Sequence, residues 1–96
     1  MNIGQSIRHI RKTYAKQTQV EFCQSIGISQ PYLSDIERCR SNATVGLLEI
    51  IADHVNIPIP ILFWFGVEEG DVPNTESFST LKPVIDSMMN ELIKKT

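Results

Sequence analysis

Two helix-start signals lie close together in the first third of the chain, and they constrain the fold more than any other feature. Thr18 is followed three positions later by Glu21, the pattern of a capping box, and Ser29 is a second residue that favours the N-cap. Gly27 stands between them, where the left-handed conformation that ends a helix is cheap only for glycine. Two helices joined by so few residues must cross at a steep angle.

Apolar residues at helical spacing predict one helix before this pair and another after it. The earlier helix carries Ile3, Ile7, Ile10 and Tyr14 on one face. The later helix begins after Thr44. Its inner face is predicted to consist of Val45, Leu48, Ile51, Ala52 and Val55. The sequence contains no convincing strand, so we predict an all-α fold.

The last third of the chain predicts two further helices and a linker. Pro60 suits the first turn of a short fifth helix over residues 61–65, which should end at Gly66. Pro83 suits the first turn of a sixth helix capped by Ser79 or Thr80. The predicted organisation is a five-helix domain of residues 1–66, an acidic linker of residues 67–78, and a C-terminal amphipathic helix of residues 79–96.

The composition excludes several classes of protein. A chain of 96 residues with 42% hydrophobic residues has room for one globular domain, and its longest apolar run is too short to span a bilayer, so we expect a cytoplasmic protein without a membrane partner. We expect Cys23 and Cys39 to be reduced thiols and His9 and His54 to be surface residues, since their spacing does not fit a zinc site. No catalytic or phosphate-binding motif is present, so no enzyme activity, metal or cofactor is expected.

The net charge of −2 conceals an uneven distribution. Residues 1–41 contain six basic and three acidic residues, which gives +3, whereas residues 42–96 contain three basic and eight acidic residues, which gives −5. The first segment is therefore predicted to face a polyanion, and the second to face away from it.

Residues 18–38 carry the motif that indicates a function. The matching positions are Gln19, Cys23, Gly27, Ser29, Gln30, Ser34 and residues 36–38. This pattern resembles the helix-turn-helix of the Cro and lambda-repressor superfamily, also called the xenobiotic-response-element family, and the resemblance covers about residues 3–65. It implies a five-helix lambda-repressor-like domain in a sequence-specific DNA-binding transcriptional regulator, with the helix of about residues 29–38 in the major groove of double-stranded DNA.

The outward positions of this third helix are the candidate base contacts, namely Gln30, Pro31, Tyr32, Ser34 and Asp35. Gln30 offers one donor and one acceptor, which matches adenine N7 and N6. Tyr32 could contact a thymine methyl group or a phosphate. Asp35 is unusual at a base-reading position, because it can only accept, as from cytosine N4; otherwise it turns toward solvent.

The resemblance also implies contacts to the DNA backbone. They are assigned to Gln19, Arg8, Lys12, Ser29, Arg38, Arg40, Asn42 and Thr44. Gln19 would donate to a phosphate and steady Gln30. Arg11 and Glu37 match a family pair that joins the first helix to the third, so we assign them a structural salt bridge.

The sequence departs from the family pattern at two connections. The link that follows Arg11 is one residue longer than usual, and Gln17 occupies a position normally filled by an apolar residue, so Tyr14 or Ala15 is expected to supply that burial. Cys39 stands where the family has glycine. Since a left-handed conformation costs other residues roughly 1 kcal/mol or more, we expect the third helix to end differently there.

Large apolar residues near the C-terminus predict an apolar surface that must pack against another helix or another chain. One face of a short fifth helix cannot bury residues 61–65, and the sixth helix carries a complementary apolar stripe. We favour a homodimer on a pseudo-palindromic operator, because one recognition helix reads only a few base pairs. The candidate interface comprises Phe63, Trp64, Phe65, Leu81, Val84, Ile85, Met88 and Leu92. Two alternatives stay open: the sixth helix folds back on its own chain, or the chain is an antitoxin or adaptor that binds a protein partner here.

Overall fold

The computed structural model describes residues 1–71 and 75–94, and these ranges contain helices and no strand. The six α-helices of the described residues are α1 (Ile3–Ile10), α2 (Gln19–Ile26), α3 (Gln30–Glu37), α4 (Val45–Val55), α5 (Ile59–Trp64) and α6 (Thr75–Lys94). A π-helical turn (Arg11–Ala15) follows α1, and a 3-10 turn (Glu69–Asp71) follows α5. The predicted all-α fold, five helices followed by a C-terminal helix, is confirmed.

Local capping explains why α2 and α3 begin and end as they do. Thr18 Oγ1 accepts from the backbone N–H of Glu21 at 3.2 Å, and the Glu21 carboxylate accepts from the backbone N–H of Thr18 at 2.9 Å. The Thr18 N–H holds the pKa of the Glu21 carboxyl below its usual range. Gly27 ends α2 with φ 77°, and Ser29 Oγ caps α3 by accepting from the N–H of Tyr32 at 3.3 Å. The predicted capping box and left-handed glycine are both present.

The core lies where α1, α2, α3, α4 and α5 meet. Asn2 N–H donates to the carbonyl of Gly66 at 2.7 Å, and the Ser6 hydroxyl donates to the carbonyl of Leu62, which ties α1 to the end of α5. A methyl group at Gly4 would overlap a carbonyl oxygen of α3, so α1 and α3 pack in close contact. The buried apolar residues are Ile7, Ile10, Phe22, Cys23, Ile26, Leu33, Ile36, Leu47, Leu48, Ile51, Ala52, Ile57 and Leu62.

The inner face of α4 is rotated from the predicted one. Thr44 caps the helix as expected, but Val45 is exposed and Leu47 is buried in its place, with Leu48 beside it. Buried residues recur at positions 47, 48, 51 and 52, and Val45 points about 200° away from Leu47 around the helix axis. The assignment of Val45 to the core was therefore wrong.

The π-helical turn accommodates the extra residue that follows Arg11. This wider turn ends at Lys16 with φ 53°, and the N–H of Gln17 donates to the carbonyl of Arg11 at 3.3 Å. Tyr14 and Ala15 pack partly buried against the core, which confirms their expected role.

The end of α3 differs from the expectation drawn from Cys39. This residue adopts the left-handed conformation with φ 62°, as a glycine would, so the prediction of a different helix end was wrong. Its Sγ lies 3.1 Å from Asn2 Oδ1, and its N–H donates to the carbonyl of Ile36 at 3.0 Å, contacts that hold the strained backbone in place. Both cysteines are free thiols, and burial raises the pKa of Cys23.

Both C-terminal helices begin earlier than predicted. α5 begins at Ile59, and α6 begins at Thr75, so residues 75–78 of the predicted linker are helical and Pro83 lies in a helix interior. Pro60 lies in the first turn of α5 as expected, and the start differs by two residues, whereas Pro83 lies well inside α6 and does not mark its first turn. Residues 72–74 of the predicted linker and the final residues 95–96 lie outside the described residues.

Candidate nucleic-acid interface

The five candidate base contacts all lie on α3, and they differ in exposure. Gln30 and Pro31 are exposed at the start of the helix, whereas Tyr32, Ser34 and Asp35 are partly buried. Leu33 and Ile36 anchor the opposite face in the core at 0% and 2% exposure. The most accessible polar group of α3 is therefore at its N-terminal end, the end that enters a groove first in this geometry.

A chain of hydrogen bonds links this exposed end to the interior. Gln30 Nε2 donates to Gln19 Oε1 at 2.9 Å, and Gln19 Nε2 donates to Glu37 Oε1 at 3.0 Å. The Gln19 side chain thus bridges the first and last turns of α3 from its position at the start of α2. The implied contact between Gln19 and Gln30 is present in the structure.

This chain of hydrogen bonds ends at a buried ion pair between Arg11 and Glu37. Arg11 Nε donates to Glu37 Oε2 at 2.8 Å, and Arg11 Nη2 donates to Glu37 Oε1 at 3.0 Å, with side-chain exposures of only 7% and 4%. The remaining Arg11 nitrogen, Nη1, donates to the backbone carbonyl of Gln17 at 2.9 Å. The pair predicted between α1 and α3 is bidentate, and it also fixes the turn that precedes α2.

A small polar cleft lies beside the ion pair. Its volume is about 170 Å³, and its lining residues are Arg8, Arg11, Lys12, Gln19, Glu37 and Arg38. Arg8, Lys12 and Arg38 are exposed, whereas the Arg11 charge is paired inward. The cleft therefore brings four of the predicted backbone contacts together, and its outward charge suits an anionic oxygen.

The other predicted backbone contacts lie around the connection from α3 to α4 and at the start of α3. Arg40 and Asn42 are exposed in the connection. Thr44 Oγ1 caps α4 by accepting from the N–H of Leu47 at 3.1 Å, and the N–H groups of the first helical turn carry the partial positive charge of the dipole. Ser29 serves as the α3 cap, so its hydroxyl hydrogen is available to a second acceptor.

Helix α6 folds back on the domain through aromatic and charged contacts. Trp64 Nε1 donates to Asp86 Oδ1 at 2.6 Å, and Lys82 Nζ lies 3.3 Å from Asp86 and 5.0 Å from the centroid of the Trp64 ring. The Phe65 ring stacks on Tyr14 at 5.9 Å between centroids. Two members of the expected dimer surface, Trp64 and Phe65, are thus engaged within one chain. Sequence reasoning missed the role of Asp86, because its partner Trp64 lies 22 residues away.

One face of α6 is left uncovered by this docking. Leu81, Val84, Met88 and Leu92 are 51%, 54%, 58% and 57% exposed, whereas Ile85 is partly buried. Phe63 is partly buried against the core. Three expected interface residues, Phe63, Trp64 and Phe65, therefore pack on the same chain, whereas Leu81, Val84, Met88 and Leu92 form an outer apolar stripe.

The contact region between α6 and α1 includes polar atoms that the fold does not satisfy. His9 Nε2, Tyr14 Oη and Asn90 Oδ1 are buried and have no hydrogen-bond partner among the residues that the structure describes. A cavity of about 230 Å³ lies here, lined by Gln5, His9, Phe65, Val67, Lys82, Asp86 and Asn90. Burial lowers the pKa of His9, which is half-buried and lies 4.7 Å from the Phe65 ring, so its assignment to the exposed surface was wrong.

The histidines and cysteines considered as metal ligands do not form a metal site among the described residues. Among the described residues, no group of three or more His, Cys, Asp or Glu side chains could hold a metal ion. His54, exposed as expected, shares a 3.0 Å hydrogen bond with Gln17 instead. In the same part of the chain, no helix is long and apolar enough to cross a membrane.

Comparison with known proteins places this geometry in context. The helix-turn-helix family matches residues 7–62. The immunity repressor protein of Bacillus phage phi105 is 41% identical over 59 residues, which cover 62% of this chain and 40% of the relative. The match thus spans less than half of the phage protein. No solved structure matches the chain.

Proposed function

Because the chain belongs to the Cro- and C1-type helix-turn-helix family of DNA-binding domains, we propose that it is a transcriptional repressor that binds a pseudo-palindromic operator as a homodimer. The observation that carries the proposal is the pair Gln19 and Gln30, joined at 2.9 Å at the exposed start of α3. An amide held in this way is preorganised for a base edge before DNA arrives. Such a repressor acts in the cytoplasm.

In the proposed complex, α3 lies in the major groove and its N-terminal residues contact bases. Gln30 pairs with an adenine, and Pro31 lies beside it at the exposed end of the helix. Tyr32, Ser34 and Asp35 are partly buried. They would therefore contact bases only if the edge of the base pair lies close to the surface of α3. Gln30 is therefore the main source of specificity.

Backbone contacts would position the helix without reading sequence. The cleft beside the ion pair presents Arg8, Lys12, Arg38 and the second N–H of Gln19 to one stretch of phosphates. Arg40, Asn42 and the start of α4 at Thr44 would hold a second stretch, with the Ser29 hydroxyl at the start of α3. These groups contribute most of the salt-dependent affinity.

The outer stripe of α6 supports the homodimer. Its residues recur at spacings of three and four, the pattern that pairs one helix with another. The stripe is also self-complementary, because an antiparallel copy related by a two-fold axis near residues 86–87 would place Leu81 against Leu92 and Val84 close to Met88. A two-fold symmetric pair of domains is what a pseudo-palindromic operator requires.

Electrophoretic mobility shifts test the DNA-binding part of this proposal. Gln30→Ala should weaken binding mainly at one base pair, by about 1–3 kcal/mol, whereas Arg40→Ala should weaken binding to every duplex and reduce the salt slope by roughly one phosphate contact. Gln24→Ala is the matched control, since it removes an exposed amide from the neighbouring helix α2. Unchanged sequence preference in Gln30→Ala would contradict the assignment.

The second candidate function is an antitoxin or adaptor that uses the same outer stripe on a different protein. The exposure of Leu81, Val84, Met88 and Leu92 is compatible with such a partner. The absence of salt-dependent duplex binding, together with a monomeric pure chain, would favour this function over the repressor.

A further inference from the structure

We propose that Glu37 sets a preference for adenine over guanine by fixing, through Gln19, the direction in which the Gln30 amide faces the DNA. Glu37 contacts no base in this account, so it is a positioning residue. The proposal rests on the proposed function, since it requires Gln30 to read a base pair.

The buried carboxylate determines the direction of the whole hydrogen-bond chain. An ionised carboxylate can only accept, and both Glu37 oxygens accept from Arg11, at 2.8 and 3.0 Å. Gln19 must therefore turn its NH2 group toward Glu37 Oε1, which it does at 3.0 Å. The reverse orientation would place the Gln19 amide oxygen against a carboxylate oxygen.

The direction set at Glu37 is passed to Gln30. With its NH2 group turned inward, Gln19 presents Oε1 to α3, and Gln30 must donate an N–H to it, at 2.9 Å. One N–H and the oxygen of the Gln30 amide then remain for the DNA. The Gln30 amide thus offers one donor and one acceptor, side by side, to the DNA.

This pair of groups matches adenine and mismatches guanine. Adenine presents N7 as an acceptor and N6 as a donor in the major groove, so the free N–H and the oxygen of Gln30 satisfy both. Guanine presents two acceptors, N7 and O6. An unconstrained amide could offer guanine both of its N–H groups, but Gln30 has committed one of them to Gln19.

Replacing the carboxylate with an amide should release the direction of this hydrogen-bond chain. In Glu37→Gln, the single amide oxygen can accept from Arg11 Nη2 or from Arg11 Nε, and the NH2 group takes the other place, so either the oxygen or the NH2 group faces Gln19. When the NH2 group faces Gln19, Gln19 turns its oxygen toward residue 37 and donates to the Gln30 oxygen. Both N–H groups of Gln30 are then free, which is the arrangement that suits guanine.

The test compares four duplexes that differ only at the base pair whose discrimination is lost in Gln30→Ala. This base pair is found by selecting sites for the wild-type protein from a random duplex pool. The wild type should favour adenine over guanine there by roughly 10-fold, and Glu37→Gln should lower this ratio about 10-fold, to about equality. General damage to the fold would weaken binding to both duplexes without changing their ratio.

Two further variants keep the test decisive. Arg11→Met with Glu37→Gln removes the buried charge together with its partner and leaves an amide with no imposed direction, so the ratio should fall to about one. Glu21→Gln makes the same change of charge at the α2 capping box and should keep the wild-type ratio. A wild-type adenine preference in any folded variant that lacks the Glu37 carboxylate overturns the proposal.

Failure of this proposal and failure of the proposed function have different signatures. If the wild-type protein selects no sequence from the pool, the DNA-binding function itself fails. If the wild type selects a site and Gln30→Ala relaxes it, but Glu37→Gln keeps the adenine preference, only the role of Glu37 is refuted.

Discussion

The helix-turn-helix and the C-terminal helix are held in place by different means. On α3, Leu33 and Ile36 are buried, and the polar side chains of its two ends are joined in a hydrogen-bond chain that ends on a buried ion pair. On α6, the inward face rests on a few contacts around Trp64 and Asp86, and the outward face exposes apolar side chains.

This difference indicates which part of the molecule is complete by itself. Helix α3 needs no partner to hold its geometry, because Arg11, Gln19, Gln30 and Glu37 are each hydrogen-bonded to another member of the network in the same chain. Helix α6 is only half covered, so its stability is expected to depend on whatever binds the outer stripe. Four changes would break or sharpen this contrast.

The largest effect is expected from breaking the buried ion pair. Glu37→Ala leaves the Arg11 guanidinium buried with only the Gln17 carbonyl as acceptor, and should reduce the free energy of unfolding by about 3–5 kcal/mol. Urea denaturation followed by circular dichroism measures this loss. The double variant Arg11→Met with Glu37→Met, which leaves no buried charge, should recover most of it. A loss below about 1 kcal/mol in Glu37→Ala would mean that the network does not hold α3.

The second largest effect is expected from truncating one side chain of the outer stripe of α6. Met88→Ala removes apolar surface from each copy, worth about 1 kcal/mol per chain, and should raise the dimer dissociation constant roughly 30-fold. Sedimentation equilibrium measures the constant. Ile50→Ala, which removes an exposed apolar side chain from α4, serves as the control and should leave the constant unchanged. Equal effects of the two variants would refute the α6 interface.

A smaller effect should follow from loosening the inner face of α6. Trp64→Phe keeps the aromatic ring but removes the donor to Asp86, a loss of about 1 kcal/mol. Amide hydrogen exchange in α6 should then accelerate about fivefold, since local opening becomes easier by that amount. Exchange in α3 should stay unchanged, and acceleration in both helices would show that the two regions do not open independently.

The smallest expected effect is a pH dependence of the docking of α6 at its contact region with α1. Burial lowers the pKa of His9 in the folded protein, so the unfolded or undocked state binds a proton more readily. The stabilising contribution is present above the ordinary histidine pKa of about 6.5 and is lost as the pH falls below it. Trp64 fluorescence should therefore report weaker docking of α6 at pH 5 than at pH 8. His9→Phe, which fills the same space without titrating, should abolish this dependence, and its persistence would exclude His9 as the cause.

The sequence predicted the elements whose signals are local. Thr18, Glu21, Gly27 and Ser29 satisfy or end backbone hydrogen bonds within a few residues, so their pattern specifies α2 and α3 without knowledge of the fold. The conformation of Cys39 was not predicted, because the contact with Asn2 that helps to hold its left-handed backbone comes from the other end of the domain. The rotation of α4 and the burial of His9 likewise depend on which helices pack against them.

The candidate site divides in the same way. Gln19 and Gln30 were identified by their positions in the motif, whereas the bond from Gln19 to Glu37 depends on how α2 crosses the end of α3. The start of α6 and the role of Asp86 depend on the packing of Trp64 across a long separation in sequence. No local pattern specifies such a contact.

Selection of bound sites from a random duplex pool tests the central claim most directly, the claim that two copies of this domain act together on one operator. We expect enriched sequences with two inverted half-sites whose centres lie about 10 base pairs apart, and loss of the second half-site when the outer stripe of α6 is disrupted. Enrichment of a single, unrepeated half-site would contradict the homodimer, and the absence of any enriched sequence would contradict the assignment of α3 as a recognition helix.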